Sequence, residues 1–248
     1  MLWKIVRGII DADKIFRKWI DVEARKGRLL MILTANILCK EAQIFSAAES
    51  AHQEHTLFGV TDGKAVGTYL ELKFRTYLID KGYAFESGNA ARGLDFPDLN
   101  LDMKVTSIRQ PQSSCPFRSV RQKIYGLGYS LIVFVYDKTD DVRTRSATLR
   151  ITDTIYVEKE QTADFQMTRG LIDILNNQGN VDDVMDFMAS RHLASDEIEL
   201  RNLAEYVMEN PMEQGFLTIS PALQWRLQYQ RIIDKAGTVD GIYSVYKN

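Results

Sequence analysis

Residues Arg92 to Ser107 read R-G-L-D-F-P-D-L-N-L-D-M-K-V-T-S. Leu101, Met103 and Val105 alternate with Asp102, Lys104 and Thr106. That is the period-two pattern of a strand with one apolar and one polar face. Asp102 and Lys104 then point the same way, about 7 Å apart along the strand. Upstream, Gly93 and Pro97 punctuate a turn that returns Asp95 and Asp98 toward the polar face. Two carboxylates and one ammonium are expected to converge beside a sheet edge. Two carboxylates can hold a hard cation such as Mg²⁺. The cation polarises a phosphoryl oxygen and acidifies a bound water. A lysine beside it can orient or deprotonate that water and offset charge in the transition state. The group therefore suits phosphodiester hydrolysis. An Asp-x-Lys strand by itself is more often a solvated face, so the rest of the chain has to carry the argument.

The 248 residues are 45% hydrophobic, enough for one sizeable core with an added lobe. The net charge is −2, which excludes a globally basic nucleic-acid binder and leaves room only for a local patch. Two cysteines, Cys39 and Cys115, make neither a disulfide framework nor a zinc pattern, and a reducing cytoplasm is the simplest setting. No secretory leader and no membrane span is expected: Leu29 to Leu38 is too short, is interrupted by Thr34 and Asn36, and reads as a buried helix. His52 and His55 lack a third metal ligand and read as a surface pair.

In chain order, residues 1–52 read as helices, broken at Arg25-Lys26-Gly27-Arg28. A second informative stretch, Asp62 to Lys81, reads as a helix whose apolar face carries Leu70, Phe74, Tyr77 and Leu78, ended by Gly82. Glu71 borders that face. Ile108 to Phe117 reads as a polar loop, and Phe117 to Gly126 as a short helix. The run Leu131 to Tyr136, L-I-V-F-V-Y, reads as a buried central strand. A charged turn is expected at Asp137 to Thr144, and another strand at Ala147 to Glu158. Helices follow over 163–176, 180–191 and 196–209. The end of the chain reads as strand Phe216 to Ile219, helix Pro221 to Lys235 and a final strand from Gly241.

The site stretch resembles the PD-(D/E)XK nucleases, the superfamily of many type II restriction endonucleases. The closer likeness is to the branch around the mismatch-repair nicking enzyme MutH. Asp95 and Asp102 stand at that branch's spacing, with Lys104 as its lysine; the literal proline-aspartate reading would choose Asp98. Val66, Gly67, Leu70 and Glu71 are similar to a Val-Gly-x-x-Leu-Glu helix that supplies a further active-site glutamate. Arg121-Gln-Lys123 is similar to a segment whose lysine belongs to the active site. The resemblance is specific over 66–136, loose over 215–248, where Phe216 replaces a tyrosine, and absent over 1–60.

The resemblance implies a restriction-endonuclease-like α/β fold: a mixed sheet flanked by helices, with a mostly helical second lobe. Residues 1–60 would be an N-terminal helical segment, 61–160 the nuclease core, and 161–248 a lobe for DNA recognition. The implied activity is Mg²⁺-dependent, sequence-specific cleavage of double-stranded DNA, with Mn²⁺ able to substitute, leaving 5′-phosphates. Glu71, Asp95, Asp102, Lys104 and Lys123 are the expected catalytic residues. Asp95, Asp102 and the Met103 carbonyl are the expected metal ligands. Arg109, Gln110, Gln112, Ser113, Arg118, Ser119, Arg121 and Gln122 are the expected DNA contacts. A homodimer with a separately encoded methyltransferase is implied. The alternatives are a monomeric nicking repair enzyme, or a DNA-binding module without catalysis in which residues 221–247 form a winged helix.

Overall fold

The computed structural model describes residues 31–86, 93–115, 118–193, 196–220 and 225–248. In chain order these hold β1 (Met31–Ile32), α1 (Ala35–Ser50), β2 (Gln53–Glu54), α2 (Gly63–Asp80), β3 (Tyr83–Ala84), β4 (Leu101–Ser107) and β5 (Gln112–Cys115). Next come α3 (Gln122–Tyr125), β6 (Ser130–Asp141), β7 (Ser146–Val157), α4 (Phe165–Asn176), α5 (Val181–Ser190) and α6 (Glu197–Glu209). The chain closes with β8 (Thr218–Ile219), β9 (Trp225–Gln228), α7 (Gln230–Lys235) and β10 (Ile242–Lys247).

The fold is α/β, built on a mixed sheet in the order β10-β7-β6-β4, with β2 paired to the far end of β7. β4 runs parallel to β6, and β6 and β10 run antiparallel to β7. Among the described residues β4 has no second strand beside it in this sheet, so the outer side of its backbone faces the Asp95 to Asn100 turn rather than a ladder.

The continuous apolar run in β6 is explained by burial on both faces. Ile132, Phe134 and Tyr136 face a core shared with α1 and α2. There Phe45, Phe74 and Phe134 pack with ring centroids between 5.0 and 6.1 Å apart. Leu131, Val133 and Val135 face a second core closed by Leu227, Tyr229 and Ile232 from β9 to α7. A third core joins Ile124 to α4, α5 and α6. It lies where the sequence places three helices. Asn180 starts α5 with a reciprocal cap and Asp196 starts α6 by accepting from the Glu199 N–H, so short polar residues fix these boundaries.

Several local expectations are corrected. Met31 and Ile32 form an exposed strand against β3 rather than the start of a buried helix, and α1 begins only after Thr34, whose hydroxyl accepts from the Ile37 N–H. Residues 108–117 are not all loop: Gln112 to Cys115 form β5, because a distant strand, β9, pairs with them. The expected turn at Asp137 to Thr144 is mostly strand, since β6 and β7 continue their ladder out to Asp141 and Ser146. Of the expected helix Pro221 to Lys235, residues 221–224 lie outside the described residues and the rest is strand β9 followed by α7, with Leu227 and Tyr229 buried and Arg226 and Gln228 exposed at a period of two. Of the helix read from Phe117 to Gly126, Phe117 lies outside the described residues and the helix observed among the rest is Gln122 to Tyr125. The helices read within residues 1–30 and the basic break at Arg25 to Arg28 lie outside the described residues.

Candidate active site

A tight turn builds the site. Gly93 takes a φ of +65°, which a side chain would resist, and lets the chain enter toward β4. Pro97 to Leu99 form one 3₁₀ turn, and Asn100, at φ 48°, reverses the chain while its side chain donates to the Gly128 carbonyl at 2.9 Å. Phe96 and Leu101 then exchange two backbone hydrogen bonds, at 3.0 and 3.2 Å, and both side chains are fully buried. This pair sets a hairpin register. The next position outward places Asp95 directly across from Asp102, with their side chains on one face.

Asp95 is tied down twice more. Its Oδ2 accepts from the Met103 N–H at 2.8 Å, and its Oδ1 from the Arg75 guanidinium. In a strand the N–H and C=O of one residue point to the same side, so the Met103 carbonyl also faces the open edge. The β6 ladder agrees with this alternation: Asn100 O and Ile108 N bond toward β6, which leaves residues 101, 103 and 105 facing outward. Asp98 is placed differently, exposed and accepting from the Glu86 N–H at 2.8 Å.

Lys104 lies on the Asp102 face, with Nζ 2.6 Å from Asp102 Oδ2. Burial alone would discharge Lys104, but the Asp102 carboxylate outweighs it and holds the ammonium above its ordinary range. Burial pushes the Asp102 carboxyl up to about 7, against the pull of Lys104 and with the push of Asp95. Glu71, on α2, is pushed up to about 7 by burial and then by Asp95, with Lys104 and Arg75 opposing. α2 lies along β4, with Gly67 against Val105, which brings Glu71 and Arg75 in turn toward the aspartates. Glu71, Asp95, Asp102 and Lys104 thus form one electrostatic unit.

Lys123 stands apart from it. The residue is buried, burial lowers its pKa, and the Asp164 charge opposes that. Asp164 caps α4 through the Met167 N–H at 2.9 Å and accepts from the Ile219 N–H at 2.7 Å, so this neighbourhood joins the helical lobe to β8.

The expected DNA contacts fall into two groups. Arg109, Gln110, Gln112 and Ser113 line a groove of about 590 Å³ along the open end of β4, together with Lys64 and Arg226. Ser119 and Arg121 border a second depression against α6, where the Arg121 guanidinium lies 4.2 Å from the Tyr206 ring centre. Arg118 sits near Gly93, close enough that a Cβ there would lie 3.2 Å from its guanidinium. Gln122 is half-buried and donates to the Leu127 carbonyl at 3.1 Å, an intramolecular use.

Sequence reasoning missed Arg75, the partner of Asp95, although its position four residues after Glu71 on one helix was a usable signal. It also missed Tyr229, a buried phenol on which the charges of Lys104 and Asp102 act.

Among the described residues, no three His, Cys, Asp or Glu side chains come close enough to hold a metal by themselves. Two carboxylates set across from each other by the hairpin register, beside an outward-facing carbonyl, nevertheless fit a divalent cation that completes its shell with water or phosphate oxygens. Among these residues no helix is long and apolar enough to cross a membrane.

The model of one protein family, described as type II restriction enzyme NspV, matches residues 32–244. The chain is 63% identical over 219 residues to the type II restriction enzyme NspV of Nostoc sp., covering 88% of this chain and 99% of that protein. No solved structure matches it.

Proposed function

The chain belongs to the NspV family of type II restriction enzymes, and from that premise we propose that it cuts double-stranded DNA with the Glu71–Asp95–Asp102–Lys104 unit. The observation that supports this most is the hairpin register that sets Asp95 across from Asp102, with Lys104 bonded to Asp102 on the same face. Asp95, Asp102 and the Met103 carbonyl would hold Mg²⁺, with Mn²⁺ able to replace it, and the cation supplies phosphoryl polarisation and a more acidic water.

The chain's own residues do the rest. Lys104, kept as a cation by Asp102, orients the attacking water and offsets charge gathering on the phosphate. Glu71, close to Lys104 and Asp95, orients that cation or accepts a hydrogen bond from water. Arg75 holds the Asp95 carboxylate in place. Lys123 orders the junction with the helical lobe, and its reach to the scissile phosphate depends on how DNA seats. In-line attack forms a bond from water oxygen to phosphorus and breaks the bond to the 3′ oxygen, leaving a 5′-phosphate and a 3′-hydroxyl.

Arg109, Gln110 and Gln112 contact DNA from the groove, with Ser113 bracing that strand through Tyr229, while Arg118, Ser119 and Arg121 approach it from the α3 side, where Gln122 steadies the turn through the Leu127 carbonyl. The architecture is read as restriction-endonuclease-like. Cutting both strands of a palindromic site calls for a symmetric pair of chains, so a homodimer, with a separately encoded methyltransferase protecting the host DNA in the cytoplasm, completes the proposal. The test is a digest of phage DNA with Mg²⁺ followed by run-off sequencing. Discrete double-strand ends bearing 5′-phosphates are expected; single-strand nicks, or no metal-dependent cleavage, would overturn it.

A further inference from the structure

β5, β9 and β8 form a small antiparallel sheet separate from the main one. In its register Gln112 lies opposite Gln228 and Ser114 opposite Arg226. Alternation puts these four on one face and Ser113, Cys115 and Leu227 on the other. Cys115 and Leu227 are buried, and Arg226, Gln228 and Ser114 are exposed. Thr218, opposite Gln228 on β8, extends the polar face, which carries no acid.

These side chains are also unspent. Arg109 is paired with Asp137 and Lys138 with Asp140, yet among the described residues the guanidinium of Arg226 and the amides of Gln112 and Gln228 have no partner. Polar side chains without partners are common singly. Three of them on facing strands, all able to make paired hydrogen bonds to base edges, are a different matter. Arginine pairs with the O6/N7 edge of guanine, and glutamine with the N6/N7 edge of adenine.

The ribbon is fastened to the cleavage site. Thr106 of β4 accepts from the Gln112 N–H at 2.9 Å, and Ser113 is hydrogen-bonded to Tyr229, the phenol beside Lys104. The distance from reading face to scissile phosphate is therefore set by packed structure rather than by a mobile loop.

Resting on the endonuclease reading above, we propose that the β5–β9 ribbon enters the DNA major groove and determines sequence specificity, with Arg226 reading a guanine and the Gln228–Gln112 pair an adenine. Arg226 and Gln228 are two residues apart, about 6.8 Å along the strand, which matches about two base steps of 3.4 Å. The two bases they read are therefore two positions apart in the site.

The experiment is selection of bound and of cleaved sequences from a randomised DNA library, with the full-length protein and its R226A, Q228A and Q228E variants. Their folding is checked by thermal denaturation, and binding is read without Mg²⁺ so that a failure to cleave does not hide the result. R226A relaxes one G·C position by about 5- to 150-fold, and Q228A relaxes one A·T position two steps away. Q228E moves the preference at that same position toward cytosine, whose amino group a carboxylate accepts. The slope of binding against salt stays unchanged, because every phosphate keeps its cationic partner. Uniform weakening on all sequences with a shallower salt slope would make these residues phosphate contacts and overturn the proposal. So would unaltered selectivity, or relaxed positions that are not two apart. A wild-type protein that selects no sequence would refute the restriction reading itself; a selective wild type with unaltered variants would refute only the ribbon.

Discussion

Asp95→Asn and Asp98→Asn remove one negative charge each, three residues apart, and should have very different consequences. Asparagine at 95 keeps an oxygen to accept from the Met103 N–H, a bond of 2.8 Å that holds the strand end, so the hairpin should survive. What disappears is the charge facing Asp102 and Arg75. The Arg75 and Asp95 side chains are 26% and 18% exposed, between a surface pair and a buried one. The stability cost should therefore lie between the ~0–1 kcal/mol of exposed pairs and the ~3–5 kcal/mol of buried ones, about 2 kcal/mol. Catalysis should fall much further. Losing one of two carboxylates for the cation should slow cleavage at least ~100-fold, about 2.7 kcal/mol of barrier. Asp98 is exposed and, among the described residues, accepts from the Glu86 N–H at 2.8 Å, a bond that an asparagine oxygen can keep. Its variant should cut within about 10-fold of wild type, with a stability change inside about 0.5 kcal/mol. The assay is a cleavage time course on phage DNA with Mg²⁺, beside thermal denaturation of each protein. An inactive, folded Asp98→Asn and an active Asp95→Asn would refute the reasoning.

The acid cluster also predicts a pH dependence. In the metal-free fold Asp102 and Glu71 have their pKa values raised to about 7, above their unfolded values. The stability they contribute is thus present below about pH 4 and is lost as pH rises through about 7. Added Mg²⁺, which needs the carboxylates charged, should raise the melting temperature above pH 7 and do little near pH 5; an equal shift at both would contradict this. Asp164→Ala should orphan the Met167 and Ile219 N–H groups and cost about 2–5 kcal/mol, visible as a fall of roughly 5–15 °C in melting temperature. Neutralising Arg118 and Arg121 should weaken binding to all sequences alike and flatten the salt slope by about 0.9 for each phosphate left without its cation; a change confined to one base position would make them readers instead.

How much was legible in the sequence followed from how local the cause was. β4 could be read because its alternation is written in seven consecutive residues. The return of Asp95 toward β4 could be read because the residues from Phe96 to Asn100 leave room for the chain to turn, and the Phe96–Leu101 pair closes that turn. The three helices of the lobe carry their own caps. By contrast β5 owes its existence to β9, more than a hundred residues away, and nothing within Gln112 to Cys115 announces that partner. β9 itself, Trp-Arg-Leu-Gln, is short enough to pass for a helical turn. Arg75 was hidden for another reason: its pairing with Asp95 depends on α2 lying along β4, a packing fact. The resemblance placed Lys123 with the acids; the fold adds that Asp164, at the junction with the helical lobe, acts on its charge, which no local pattern announced.

The most direct test of the cleavage site is Lys104→Ala. The ammonium makes one contact of 2.6 Å to Asp102 and lies on the face shared by both aspartates. The measurement is the single-turnover cleavage rate on a DNA carrying the selected site, alongside binding of the same DNA. Binding that stays specific while cleavage drops by at least ~100-fold is the result expected for a positioned catalytic group. Cleavage near the wild-type rate would contradict the account at its centre.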